Sequence, residues 1–299
     1  MQSFKVARFE RNGTVGTGLV LEDGRLFDLV RAVRVVALAT GRDVPHFREP
    51  QDLMEEGLFK AEFFAEVLDF SHRHGLLEAF SLQDGYRLLA PVARPQKIVC
   101  LGRNYAEHAR ESGAEPPEEP IIFPKAPSAI IGPEEEIVIP EGIGRVDPEV
   151  EIAVVIGKRC KSVAADRAGE CIAGFTILND VTARDMQSRD LAEAKPWFRS
   201  KSLDTFCPLG PWIVVGLPPS PELKIELRVN GEVRQSANTR EMIFKPPELI
   251  EFISGHMTLL PGDIIATGTP AGIAPIKPGD VVECEVEGIG LLRNPVVAG

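Results

Sequence analysis

The chain has 299 residues, 44% hydrophobic and 26% charged, which fits one large or two ordinary globular domains and excludes extended disorder. Its 33 Lys and Arg against 44 Asp and Glu leave a formal charge of -11, which disfavours nucleic acid and anionic lipid as partners. No apolar run approaches the roughly 18 residues of a membrane span, and the start MQSFKVARFERNG has no apolar leader segment, so a cytoplasmic protein without a membrane partner is expected.

In chain order, Phe4 to Phe9 and Gly18 to Leu21 alternate or run apolar around Asn12-Gly13 and Asp23-Gly24, predicting a small sheet with tight turns. From Val35 to Phe80 the apolar spacing lengthens (Leu53, Leu58, Phe63, Phe64, Val67, Leu68, Phe70), predicting two helices. Pro91 and Pro95 break regular structure and place a domain boundary between 93 and 94. KIVCLG then reads as a buried strand, and RNYAEHARESG as a short helix over Tyr105 to Ser112 that Asn104 can cap. The remainder is strand-rich: EVEIAVVIGK, CIAGFTILND, PWIVVG, IELRVNGEVRQ, GDIIATG and DVVECEVEG, with one amphipathic helix from Lys245 to Met257. Strands do not alternate with helices, so the fold class is α+β, mainly β, with an antiparallel sandwich- or roll-like core.

The sequence contains no GxSxG, HExxH, GxxxxGK[ST] or GxGxxG, which removes serine-hydrolase, zincin, P-loop and dinucleotide readings. The five cysteines (Cys100, Cys160, Cys171, Cys207, Cys284) form no CxxC pair and read as buried free thiols. Along DPEVEIAVVIG, a strand would project Asp147, Glu149 and Glu151 from one face and pack Val150, Ile152, Val154 and Ile156 on the other. An isolated ExE is a solvated sheet edge. A second acid, Asp180, at the end of CIAGFTILN changes that balance if the strands are neighbours, because three carboxylates make an oxygen cage for a hard cation, Mg2+, Mn2+ or Ca2+. Asp180 taken alone is equally a helix cap.

His108 and Glu111, i and i+3 on a helix, share a face as a base and its orienting carboxylate would. Incidental surface charge is the alternative, and for any lone HxxE it is the better one. Arg184 and Gln187, then Lys201 within WFRSKSLDTFCP, would supply cations and an amide to an anionic ligand, or are solvated surface charges. Gly268-Thr269-Pro270-Ala271-Gly272 offers a hydroxyl and N–H groups to a carboxylate, or is a plain turn.

Taken together, GRNYAEHARE, PEVEIAVVIGK, GFTILNDVTARDMQ, SKSLDTFCPLGP and GTPAGI resemble the fumarylacetoacetate hydrolase family over roughly Lys97 to Gly299. The resemblance implies a mixed β-sandwich roll catalytic domain over 94–299, behind a small α+β N-terminal domain over 1–93, usually assembled as a homodimer. It further implies one divalent cation, Mg2+ or Mn2+ with Ca2+ as an alternative, on Glu149, Glu151 and Asp180. His108 and Glu111 become the acid–base dyad on a mobile lid, and Lys201, Arg184 and Gln187 surround the reacting end of a small anionic 2-oxo acid. Thr269 would hold its carboxylate, with Arg103 and Lys125 as further contacts. Departures are Pro148 for an aromatic, Ser200 for Gly and Leu203 for Phe; Pro148 is tolerated only at a strand's first residue, so the strand should begin there. The implied reaction is hydrolysis of a C–C bond in an acylpyruvate-type β-diketo acid through an enolate, favoured because His108 and Glu111 are both present to activate water. The alternatives are decarboxylation, as of oxaloacetate, or isomerisation of hydroxydienoate diacids in aromatic catabolism. A non-catalytic protein binding a metal or small acid comes last.

Overall fold

Asn12 and Gly13, with φ of 51° and 74°, close the expected hairpin of Phe4–Arg11 and Thr14–Val20, since a two-residue turn with positive φ matches the twist of its strands. The computed structural model describes residues 2–299. The hairpin is the start of a twelve-stranded sheet. Phe4–Arg11 pairs antiparallel with Cys207–Val215, which leads through Ile172–Asn179, Val150–Ile156 and Ile264–Ala266 to Ile98–Gly102 and Ile121–Lys125. The sheet is therefore continuous across the proline segment at 91–95, where the sequence places a domain boundary.

A second, five-stranded sheet of Glu232–Asn238, Lys224–Val229, Val281–Val286, Gly290–Ala298 and Ile137–Ile139 lies over one face. Alternation builds the layer between the sheets: Val150, Ile152, Val154 and Ile156 pack with Phe175, Ile177, Leu227, Val282 and Leu292 in one cluster. Ala153 and Val155, on the opposite face of the same strand, join Phe27, Leu29, Val33, Phe64 and Val67 of the N-terminal region in another. The strand that carries Glu151 is thus buried on both faces. Most pairings are antiparallel, as expected; Ile264–Ala266 with Ile98–Gly102 is one of the parallel exceptions.

Four helical segments, Leu29–Thr40, Pro50–Glu55, Ala61–Arg73 and Leu77–Phe80, stand where the sequence predicts two. The first begins before Val35 because Asp28 caps it, accepting from the Arg31 N–H at 3.0 Å, and it ends at Gly41 with φ 66°. The helix Pro246–His256 falls within the expected Lys245 to Met257. Pro148 does not open a strand. It separates Val146–Asp147 from Val150–Ile156, and the Glu149 and Val150 N–H groups donate to the side chains of Asn179 (2.9 Å) and Gln235 (3.0 Å) rather than to a ladder. All five cysteines are free and buried, and burial pushes the Cys160 and Cys207 thiols up to about 12. Among the described residues, no helix is long and apolar enough to cross a membrane.

Candidate active site

The floor of the site follows from one strand pairing. Val150 lies opposite Asn179 and Glu151 opposite Leu178, so Glu149, just before one strand, adjoins Asp180, just after the other; the Asp180 N–H donates to the Glu149 carbonyl at 2.8 Å. One oxygen from each of Glu149, Glu151 and Asp180 lies within 4.8 Å of the others, and all three residues are buried.

Three cations answer this charge unevenly. Lys201 Nζ bridges Glu149 Oε2 at 2.8 Å and Asp180 Oδ2 at 2.6 Å. Lys125 Nζ donates to Asp180 Oδ1 at 2.6 Å. Arg184 contacts Glu149 Oε1, Asp147 Oδ2 (2.7 Å) and Gln187 Oε1 (2.6 Å). Among the described residues, Glu151 receives only a backbone N–H, from Gly268 to Oε2 at 2.6 Å.

The titration shifts follow this imbalance. Burial alone would raise Glu149, but Lys201 and Arg184 outweigh it and hold the carboxyl well below the usual range. Burial, then the like charges of Asp180 and Glu149, push Glu151 well above it. Burial acts to lower the Lys201 ammonium, yet Asp180 and Glu149 keep it above its ordinary value. Among the described residues, Glu151 is therefore the carboxylate of the three without a cation in direct contact, and the more distant Lys201 only partly offsets its charge. An all-oxygen donor set with one buried carboxylate so placed fits a hard divalent cation, which would supply the missing charge.

The helix Ala106–Glu111 carries the other half of the site. His108 is 8% exposed, its Nδ1 lies 3.1 Å from Glu111 Oε2, and the Gly272 N–H donates to both Glu111 oxygens at 3.1 and 3.2 Å. Asn104 does not cap this helix. Its amide donates to the Phe244 and Thr267 carbonyls at 2.9 and 2.7 Å and accepts from the Phe244 N–H at 2.8 Å, tying the helix entry to two other loops. A three-way bridge between buried backbone groups outcompetes a cap that would satisfy one N–H.

Ten of the eleven residues expected from the sequence to hold metal or substrate converge. Arg103, His108, Glu111, Glu149, Glu151, Arg184, Gln187, Lys201 and Thr269 line one cleft of about 270 Å³, and Asp180 lies beneath it. Its outer wall is Phe123, Leu191, Trp197 and Ile273, with the Arg103 guanidinium 6.0 Å from the Trp197 ring centre. Arg103 itself has φ of 58°. Gly102 leaves room for that wall, since a Cβ there would lie 2.7 Å from Trp197. Lys125 lies under Asp180 with its side chain fully buried and does not line the cleft. The Thr269 hydroxyl donates to the Val150 carbonyl at 2.9 Å and accepts from Gln235 at 2.8 Å, so its hydrogen is committed inside the fold.

Asp147, which steers Arg184, and Gln235, which bridges Val150 to Thr269 and Pro270, do positioning work that the sequence reading did not assign. The Asp147-Glu149-Glu151 alternation signals the first; nothing local signals the second.

The model for the fumarylacetoacetate hydrolase C-terminal domain matches residues 97–297. The mitochondrial oxaloacetate tautomerase FAHD2A of Bos taurus is 50% identical over 218 residues, covering 70% of this chain and 69% of that protein. Among solved structures, 5-carboxymethyl-2-hydroxymuconate delta-isomerase from Mycobacterium smegmatis is 38% identical over 99% of both chains with a TM-score of 0.75. Maleylpyruvate hydrolase from Sphingobium sp. SYK-6, in complex with manganese(II) ion and pyruvate, is 32% identical over 99% of both chains with a TM-score of 0.72.

Proposed function

The chain belongs to the fumarylacetoacetate hydrolase family, and from that premise we propose that it is a divalent-cation-dependent enzyme that moves a proton at C3 of a small 2-oxo acid, interconverting its keto and enol forms. The observation that carries this reading is the His108–Glu111 pair, braced by Gly272, on the wall of the cleft that also holds the Glu149, Glu151 and Asp180 carboxylates. Glu111 accepts from Nδ1–H and leaves Nε2 as the base; Nε2 takes the C3 proton, the C–H electron pair becomes the enolate, and the same proton returns to oxygen or carbon.

Glu149, Glu151 and Asp180 would hold the divalent cation, Mg2+ or Mn2+, which when bound would supply charge to stabilise an enolate. Lys201 adds a fixed ammonium beside it, already aligned by two carboxylates. Arg184 and Gln187 orient the substrate, with the Gln187 oxygen spent on Arg184 and its amide N–H groups left to donate. Thr269 would meet the substrate carboxylate through its main chain, since its hydroxyl hydrogen serves Val150. The tautomerase at 50% identity supports proton transfer as the reaction.

Hydrolysis of an acylpyruvate is the second reading, favoured by the likeness to a maleylpyruvate hydrolase. There His108 would activate water against the distal carbonyl; the C–C bond breaks and the departing enolate takes the proton back. Incubating the Mn2+-loaded protein with the enol form of oxaloacetate and with an acylpyruvate tests both. Faster enol loss with no cleavage of the acylpyruvate supports the tautomerase reading, cleavage supports the hydrolase reading, and neither reaction refutes both.

A further inference from the structure

A basic concavity separate from the cleft lies in the N-terminal region. Residues 1–48 hold eight Lys and Arg against five Asp and Glu, in a chain whose net charge is -11. Four of these arginines, Arg11, Arg31, Arg34 and Arg48, line one groove of about 520 Å³. Their neighbours differ from them. Arg8, Arg25 and Arg42, the other arginines of this stretch, all pair with carboxylates (Glu49, Asp23 and Glu78, and Glu66). Among the described residues, none of the four groove arginines has a carboxylate within the 4.0 Å of an ion pair.

The four come from three separate segments: Arg11 ends a strand, Arg31 and Arg34 stand one turn apart on the helix Leu29–Thr40, and Arg48 precedes another helix. Like charges one helical turn apart repel. All four are exposed, and one guanidinium and one backbone segment among them are fixed. The Arg31 guanidinium sits 5.6 Å from the Phe80 ring centre. The Arg48 backbone is pinned from both sides, its carbonyl accepting from the buried Thr17 hydroxyl at 2.7 Å and its N–H donating to Asp52 at 2.8 Å. Asp28 also lines the groove, but its carboxylate is engaged with the Arg31 N–H at the helix cap. Phe9, Val15 and Val30 give the groove an apolar part.

We propose that this groove is a ligand site, distinct from the candidate active site, for a small organic anion carrying at least two phosphate or carboxylate groups on an apolar or aromatic body. Guanidiniums left without partners from converging segments match bidentate recognition of such groups, and the apolar lining would take the body.

The test uses the full chain, dialysed free of metal, at physiological salt, with ADP as the phosphate probe and benzene-1,3,5-tricarboxylate as the carboxylate probe. Calorimetry should give one saturable site for at least one probe, and which probe binds identifies the chemical class. The double variant Arg31→Gln/Arg34→Gln should lose about 10-fold or more in affinity, given the worth of hydrogen bonds to charged groups. Arg159→Gln/Arg240→Gln, exposed arginines elsewhere, should leave it unchanged. Pyruvate added without metal should not displace the probe, and turnover in the cleft should be the same in the double variant. Absence of saturable binding, equal affinity in the double variant, or displacement by pyruvate would overturn the proposal. So would a change of oligomeric state in the double variant by sedimentation, which would make the groove a contact between copies.

Discussion

The two halves of the cleft are built by different means. The carboxylate floor rests on paired strands buried on both faces, with Glu151 one residue into Val150–Ile156 and Asp180 one past Ile172–Asn179. The His108–Glu111 arm is a six-residue helix, below the length at which a helix is stable on its own. Its position depends on the Asn104 bridge and the Gly272 contact. The contrast separates duties: the floor is preformed by paired core strands, whereas the arm is a short helix anchored by buried Tyr105 and Ala109 and by the Asn104 and Gly272 hydrogen bonds.

The largest effect should come from the arm. His108→Ala is expected to lower turnover by about 10²- to 10⁴-fold, the usual worth of a positioned acid–base group, with calorimetry showing Mn2+ affinity unchanged. Equal loss of both would merge the two halves and break the comparison. On the floor, Glu151→Gln should weaken Mn2+ binding by about 10-fold or more, since even indirect partners of a metal reach that scale; titration of the metal-free protein measures it.

A third prediction sharpens the boundary between them. Asn104→Ala leaves buried backbone groups unsatisfied and should cost about 1–3 kcal/mol of stability, read by denaturant unfolding. Protection of the Ala106–Glu111 amides from hydrogen exchange should fall while that of Val150–Ile156 stays.

The smallest effect is a pH dependence of the floor. Because Glu151 titrates well above the usual carboxylate range in the fold, the native state holds a proton that the unfolded chain has lost. The metal-free protein should therefore lose stability as pH rises from the ordinary carboxylate range through the raised value. Glu149, shifted down, acts in the opposite sense and only at lower pH. Melting temperatures between pH 5.5 and 8 should fall more for the wild type than for Glu151→Gln, and Mn2+ should remove the difference.

The floor was legible in the sequence because its signals are local: alternate acids on one apolar strand and an acid ending another. The i, i+3 spacing of His108 and Glu111 shows only that the two share a helix face, as their 3.1 Å contact confirms; the pairing as a dyad comes from the resemblance rather than from the spacing. Lys125 was read as a substrate contact, whereas it lies under Asp180, 55 residues away in sequence; a strand's alternation gives its buried face but not what that face meets. Gln235 was invisible for the same reason, since its contacts at Val150 and Thr269 arise only when the two sheets meet. Asn104 was misread as a cap because helix-start chemistry is a local rule, and here distant carbonyls at 244 and 267 compete for the same amide.

The central claim is that the arm moves a substrate proton over a floor that holds a cation independently of it. Exchange of the pyruvate methyl hydrogens with deuterium, followed by NMR in heavy water with saturating Mn2+, tests it directly in the wild type and in His108→Ala. Exchange should run well above the protein-free rate in the wild type and be lost in His108→Ala at unchanged Mn2+ affinity. Undiminished exchange in the variant, or none in the wild type, would contradict it.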